Sequence, residues 1–220
     1  MKKITQNRNM LFFISLISFV ILAGAAYISI DHFAGKDTIP TYYVHALYPI
    51  NREDKQITVG DADYVFVGYV DKLVNTIYKY PLTIETENGT KTVTSPYTNY
   101  YVTVLKNIKG NLQTNVSIPV QKNGGISEDG SMYIIPENDV LPQVNNTYIF
   151  LVYVQEDGTI LVTGVNSNVK LDISNRDKIN ISSSQIISTK GYSDYVWAYN
   201  NEKSTNRVRF NSKYEVTNQK

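Results

Sequence analysis

The stretch that most restricts the fold is Thr147–Val154, TYIFLVYV. It carries no charged residue and shows no alternation between apolar and polar positions. Eight such residues, rich in β-branched and aromatic side chains and bounded by turn formers, read as a strand covered on both faces. A strand of that kind cannot lie at a sheet edge or over open solvent, so the domain needs a second layer on each side of it. Asp157-Gly158 then turns the chain back into Thr159–Thr163, a hairpin.

Other segments extend this pattern. Asp63–Val74 is a strand apolar on both faces, and its internal Gly68 marks a bulge or barrel bend. Asn88-Gly89 signals a two-residue hairpin within Glu85–Thr92. Tyr97–Ile108 is a strand ended by Lys109-Gly110. Val116, Ile118 and Val120 alternate with polar residues, and Pro119 among them points to a sheet edge. Thr41–Leu47, Met132–Ile135 and Val169–Leu171 read as shorter strands, Pro49–Lys55 as a turn, and Gln121–Gly130 as a long loop. Tyr192, Tyr195, Val196 and Tyr199 share one helical face, which predicts a helix over 191–203 capped by Ser193. The chain has 18 Tyr and no Cys. The first suits strands; the second excludes disulfides, a thiol nucleophile and thiolate metal sites, and in an exported protein it suits a Gram-positive-type envelope.

The beginning has another character. Lys2, Lys3 and Arg8 precede an uncharged run from Met10 to Ile30, and the first acidic residue is Asp31. About twenty apolar residues span a bilayer, and the basic flank stays on the cytoplasmic side. The expected organisation is a cytoplasmic head (1–9), a single-pass signal anchor (10–30), a linker (31–40), an extracytoplasmic β-domain with a C-terminal helix (41–203) and a basic tail (204–220). Cleavage after the small residues near Ala25 would instead release a secreted body. Of the 21 basic groups three lie in the head, which leaves 18 against 20 acids in the remainder, net −2. A nucleic-acid binder would carry a broad basic face, so no nucleic acid is expected.

ADYVFVGYV (Ala62–Val70), YTNYYVTVLKNIKG (Tyr97–Gly110), VSIPV (Val116–Val120) and TYIFLVYV resemble, in order and motif, small exported bacterial proteins with a five-stranded OB-like barrel. These are related in shape to netrin-like and metalloproteinase-inhibitor modules. The resemblance spans about residues 60–172. It implies a mostly β fold, an OB-like small barrel, here with an N-terminal transmembrane helix and a short C-terminal helix. The animal inhibitors chelate a protease metal through an N-terminal Cys; this chain has none, so that role does not carry over.

Chemistry is sparse. His32 and His45 lack the i, i+4 partner of a metal-binding helix. DADYVF and SEDGSM lack the ligand spacing of a calcium loop, no nucleophile elbow or phosphate-cradling loop is present, and no metal or cofactor is expected. The Asn-x-Ser/Thr triplets at Asn88, Asn115, Asn145 and Asn180 would stay unmodified in a bacterial envelope. Aromatic residues are the remaining signal: Tyr42, Tyr43, Tyr97, Tyr100, Tyr101 and Tyr133, with Trp197, exceed what a small core holds. Tyr100, Tyr101, Tyr133 and Trp197 are the expected ligand contacts. Arg207, Arg209 and Lys213 are the expected contacts to an anionic envelope component. The function expected is a non-enzymatic, membrane-anchored binding module whose partner is an envelope protein, a wall glycan or an anionic wall polymer. The competing class is an envelope hydrolase with paired carboxylates.

Overall fold

The computed structural model describes residues 39–86, 89–173 and 181–216. The expected head and anchor (1–30), with His32 and most of the linker, lie outside the described residues. Among the described residues no helix is long and apolar enough to cross a membrane.

The architecture is mostly β, built on a closed five-stranded barrel. Its strands are β2 (Tyr64–Thr86), β3 (Gly89–Lys109), β4 (Ser117–Asn123), β7 (Thr147–Val154) and β8 (Ile160–Val162). The ring runs β2–β3–β4–β8–β7 and closes from β7 back to β2. Every pairing is antiparallel except β4 with β8, which is parallel through Gln121–Leu161 and Lys122–Val162. β9 (Asn168–Lys170) extends the sheet on β7, and a separate sheet joins β1 (Thr41–Val44), β6 (Tyr133–Pro136) and β5 (Gly125–Ile126) in the order β1–β6–β5.

Period-two alternation explains the two cores. Tyr64, Phe66 and Val70 of β2 face the barrel interior with Tyr100, Val102, Val120, Tyr148, Phe150 and Val152. Val65 and Val67, with Ile149 and Leu151 of β7, face outward and are covered by helices through Val59, Ala62, Ile186, Tyr195 and Ala198. β2 and β7 are therefore buried on both sides, as TYIFLVYV requires. Gly68 sits where the Phe66 and Phe150 rings stack at 5.5 Å. A Cβ there would lie 2.6 Å from Val102 and 2.9 Å from Phe66, and the register slips between Val67 and Gly68. At Pro119 the outer edge of β4 meets no strand among the described residues, since β8 pairs only from Gln121 on.

The two long strands differ from expectation. β2 and β3 run past the barrel as a two-stranded ribbon, down to the pairing of Thr86 with Gly89. Five register shifts break the hairpin, and each exchanges the two faces of one strand. Four of the five fall between Val65 and Asn75, in the half that the sequence shows as a strand; the ribbon beyond holds Pro81 and Pro96, which argue against a strand, so there the sequence shows only the Asn88-Gly89 turn.

Among the described residues three short helices cover the barrel. α1 (Lys55–Asp61) was not expected: Ile, Thr, Val and Gly are weak helix formers, and burial of Thr58 to Asp61 decides its conformation. Asp54 caps it, accepting from Gln56 N at 2.9 Å and Ile57 N at 3.3 Å. α2 (Ser183–Ile187) begins with a Ser182/Gln185 capping box. α3 (Lys190–Asn200) is the predicted C-terminal helix, but its cap is Thr189 and not Ser193. Tyr195 and Ala198 are its buried residues, while Tyr199 faces solvent.

The last described residues are no solvated tail. Phe210 and Tyr214 pack against the interior core. Ser212 N donates to Tyr64 Oη at 3.1 Å, and Val216 N to Asn111 O at 3.0 Å. The segment 204–216 is a strap laid along one end of the barrel.

Candidate ligand-binding face

The interior side chains of β3 are Tyr100, Val102 and Val104, so Tyr97, Asn99 and Tyr101 point outward and are half-buried, while Thr103 on the same side is buried. Pairing with β4 and β2 sets these in rows across three strands. In the first row Gln121 Nε2 donates to Asn99 Oδ1 at 2.8 Å and Asn99 Nδ2 to Asn75 Oδ1 at 2.8 Å, while Lys79 Nζ donates to Gln121 Oε1 at 2.6 Å. All three amides point one way, from the Lys79 ammonium to the Asn75 amide; such a chain polarises its terminal donor. The second row is Lys72, Tyr101 and Pro119, with the Lys72 ammonium 4.9 Å from the Tyr101 ring centroid. In the third, the hydroxyls of Thr103 and Ser117 donate to Asp71 Oδ2 at 2.8 and 2.6 Å. Beyond the first row, Tyr97 meets Tyr80 edge-on at 6.0 Å and the Lys79 ammonium at 4.8 Å. Burial, then the neighbouring Tyr80, raises the Tyr97 phenol above its ordinary value. The result is a strip of polar rows interleaved with aromatic rings, roughly 20 Å long at strand spacing.

Of the expected contacts, Tyr101 alone stands on this strip. Tyr100 is a correction: it is 2 % exposed inside the barrel, beside Tyr148, and burial raises its phenol. One residue along a strand changes the face, so adjacent tyrosines cannot serve one surface. Tyr133 is half-buried on β6, and Trp197, 58 % exposed, lies on α3 over the outer core. The four do not form one site. The amide row was missed, because Asn and Gln on a strand carry no signal until register aligns them.

Arg207 and Arg209 are also placed otherwise than expected. Arg209 donates from Nη2 to Gly60 O at 2.5 Å and from Nη1 to Asp61 O at 3.1 Å, Ala62 O at 3.0 Å and Asp63 Oδ1 at 3.2 Å. Arg207 donates from Nε to Asp61 O at 2.8 Å and pairs through Nη2 with Asp63. Both thus satisfy the open carbonyl end of α1. Lys213 remains exposed, 5.5 Å from the Tyr214 ring.

Two titratable clusters lie inside. Lys122, at the inward position that continues the Ile118/Val120 alternation, is 0 % exposed. Its ammonium donates to Asp139 Oδ1 at 2.8 Å, to Asp139 Oδ2 at 2.6 Å and to Ser167 Oγ at 2.9 Å. Burial lowers Lys122 to about 8 against the pull of Asp139, and burial raises the Asp139 carboxyl. Ser, Lys and Asp in this order have the composition of an activated nucleophile. Ser167, however, is 1 % exposed and donates its own proton to Gly164 O at 2.5 Å, so the group stitches β4 to two loops. Beside it, Arg52 donates to Tyr153 Oη at 2.6 Å and Tyr153 to Asp61 Oδ2 at 2.8 Å, while Thr205 donates to Asp61 Oδ1 at 2.6 Å. Burial raises the Tyr153 phenol to about 12. His45 meets Glu137 Oε2 at 2.9 Å. Among the described residues no three His, Asp or Glu are grouped to hold a metal ion.

No protein-family model matches this chain, and no curated protein matches it.

Proposed function

We propose that the protein is a membrane-anchored, extracytoplasmic binding module of a Gram-positive-type cell envelope, and that it takes a wall glycan across the outer face of β2, β3 and β4. The observation that carries the reading is the strip itself. Planar amides and a carboxylate fitted to hydroxyl groups alternate with the Tyr101 and Tyr97 rings, which suit the apolar faces of sugar rings. Its formal charges, Lys72 and Lys79 against Asp71, sum to +1, without the broad basic face that a polyanion would meet. The OB-like reading of the barrel, and with it the netrin-like resemblance, is supported by a ring in which the third and last strands alone are parallel. Anchoring rests on the basic head and the uncharged run Met10–Ile30.

Binding of the full-length chain, in detergent micelles, to isolated cell-wall sacculi tests the ligand. Tyr101→Ala and Asn99→Ala should each weaken binding about tenfold, the equivalent of 1.4 kcal/mol, with unchanged thermal unfolding. Trp197→Ala should bind as wild type. Equal binding by all three would refute the site. Protease added to wall-stripped cells tests the topology: the body should be digested, and full protection would refute the anchor.

A further inference from the structure

We infer that the open edge of β1 is a self-association edge, to which a second copy of this chain adds its own β1, antiparallel, about a two-fold axis at Tyr43.

β1 is the outer strand of the β1–β6–β5 sheet and pairs with β6 in parallel from Thr41 to Val44. Tyr133 N donates to Pro40 O and Glu137 N to Val44 O, both at 2.8 Å. With a period of two, residues 40, 42 and 44 turn their backbone groups towards β6. Thr41 and Tyr43 therefore turn N–H and C=O to the side where the sheet ends. All four side chains of β1 are exposed, Tyr42 by 61 % and Tyr43 by 58 %, although alternate residues point to opposite faces. Among the described residues, none covers the strand above or below or pairs along its edge.

Soluble proteins guard such edges with Lys, with Pro in the strand, with bulges or with inward charges. β1 has none of these, and Ile39–Tyr48 contains no Lys, Arg, Asp or Glu. An uncharged segment can meet its own copy without like-charge repulsion.

Symmetry fixes the register. A two-fold axis through an antiparallel pair sets one residue opposite itself, and Tyr43 is the edge-facing residue central to 41–45. Its N–H and C=O then exchange with those of its counterpart, and the two Tyr43 rings lie side by side on one face. Tyr42 faces Val44 of the second copy on the other, an aromatic and β-branched cross-strand pair. Two three-stranded sheets become one of six.

The chain has no Cys, so introduced thiols report alone. Full-length single-Cys variants, purified in detergent micelles and mildly oxidised, are compared on non-reducing gels. Tyr43→Cys should form a disulfide dimer by itself. Tyr42→Cys and Val44→Cys should each stay monomeric alone and cross-link when mixed, since opposed strand residues lie within disulfide reach. Leu73→Cys, exposed on the ribbon, should cross-link about tenfold less than Tyr43→Cys. Tyr43→Pro removes the edge-facing N–H and the exposed ring but no hydrogen bond to β6, and should give a monomer by light scattering, with a circular dichroism spectrum and thermal melt like those of wild type. A wild-type monomer, cross-linking of Tyr42→Cys alone as strong as that of Tyr43→Cys, or a folded Tyr43→Pro dimer would overturn the inference. So would a folded Tyr43→Cys that stays uncross-linked.

Discussion

The Lys122–Asp139 pair offers the sharpest test of the interior. Neither side chain reaches water: their side-chain exposures are 0 % and 2 %. All three ammonium protons of Lys122 are used, two of them on Asp139. Lys122→Met keeps the length of the side chain and removes the charge, leaving the Asp139 carboxylate with the Val140 N–H at 2.8 Å and the more distant Arg52. Breaking a buried pair from one side costs about 3–5 kcal/mol. In a folded body of this size 1 kcal/mol moves Tm by roughly 2–4 °C, so the loss is roughly 6–20 °C. Asp139→Leu should cost about as much, since it strands the ammonium. The double replacement removes both desolvation penalties, and its loss should be well below the sum of the two. The sign of the pH dependence follows. Burial already raises Asp139, and without Lys122 it rises further. A group whose folded value is raised stabilises below its unfolded value, and that contribution disappears as pH climbs through the folded value. Lys122→Met should accordingly be less impaired near pH 4 than near pH 7. Urea unfolding of all four proteins at both pH values measures this. Losses that simply add, or a single variant indifferent to pH, would refute a coupled buried pair.

Arg209→Ala removes four bonds to the end of α1 and should cost roughly 2 kcal/mol, with faster amide hydrogen exchange across 204–216. Gly60→Ala should loosen the same segment, because its Cβ would lie 2.0 Å from Lys203 O; unchanged exchange in both would show that the strap is held elsewhere. Lys203 first, then the capped N–H groups of Ile57 and Gln56, hold the Asp54 carboxyl below its ordinary 3.8. Its contribution is complete above that value and is lost as pH falls through the lower folded one. The stability gap between wild type and Asp54→Ala should therefore close only below about pH 4, as urea titrations across that range would read.

How much the sequence disclosed depended on how far each signal stayed local. TYIFLVYV was legible to the residue, because a strand buried on both sides needs no neighbour to identify it. The ribbon was half legible, since Pro81 and Pro96 argue against strands on either side of the Asn88-Gly89 turn. α1 was invisible: its residues prefer other conformations alone, and only the strap and the outer core hold them helical. The site followed the same rule. Tyr101 could be named from its type, but whether it or Tyr100 faced outward depended on strand phase. Asn75, Asn99 and Gln121 are scattered along the chain and meet only through register. Arg207 and Arg209 read as a free basic tail because their carboxylate partners, Asp61 and Asp63, lie far back in the sequence.

That separation bears on the order of assembly. Arg209 meets Gly60 across 149 residues, and Arg207 meets Asp61 across 146. Contacts so distant in sequence form late and slow the final steps. Until the ribosome has released residue 209, the carbonyl end of α1 has Lys109, whose ammonium donates to Val59 O at 2.8 Å, but lacks Arg209, and Tyr64 at the mouth of the barrel lacks Ser212. A nascent chain can pair β2 with β3 and β3 with β4 early, but it stays incomplete until residues 204–216 arrive. The barrel end of the fold therefore locks only when residues 204–216 are free to lie along it.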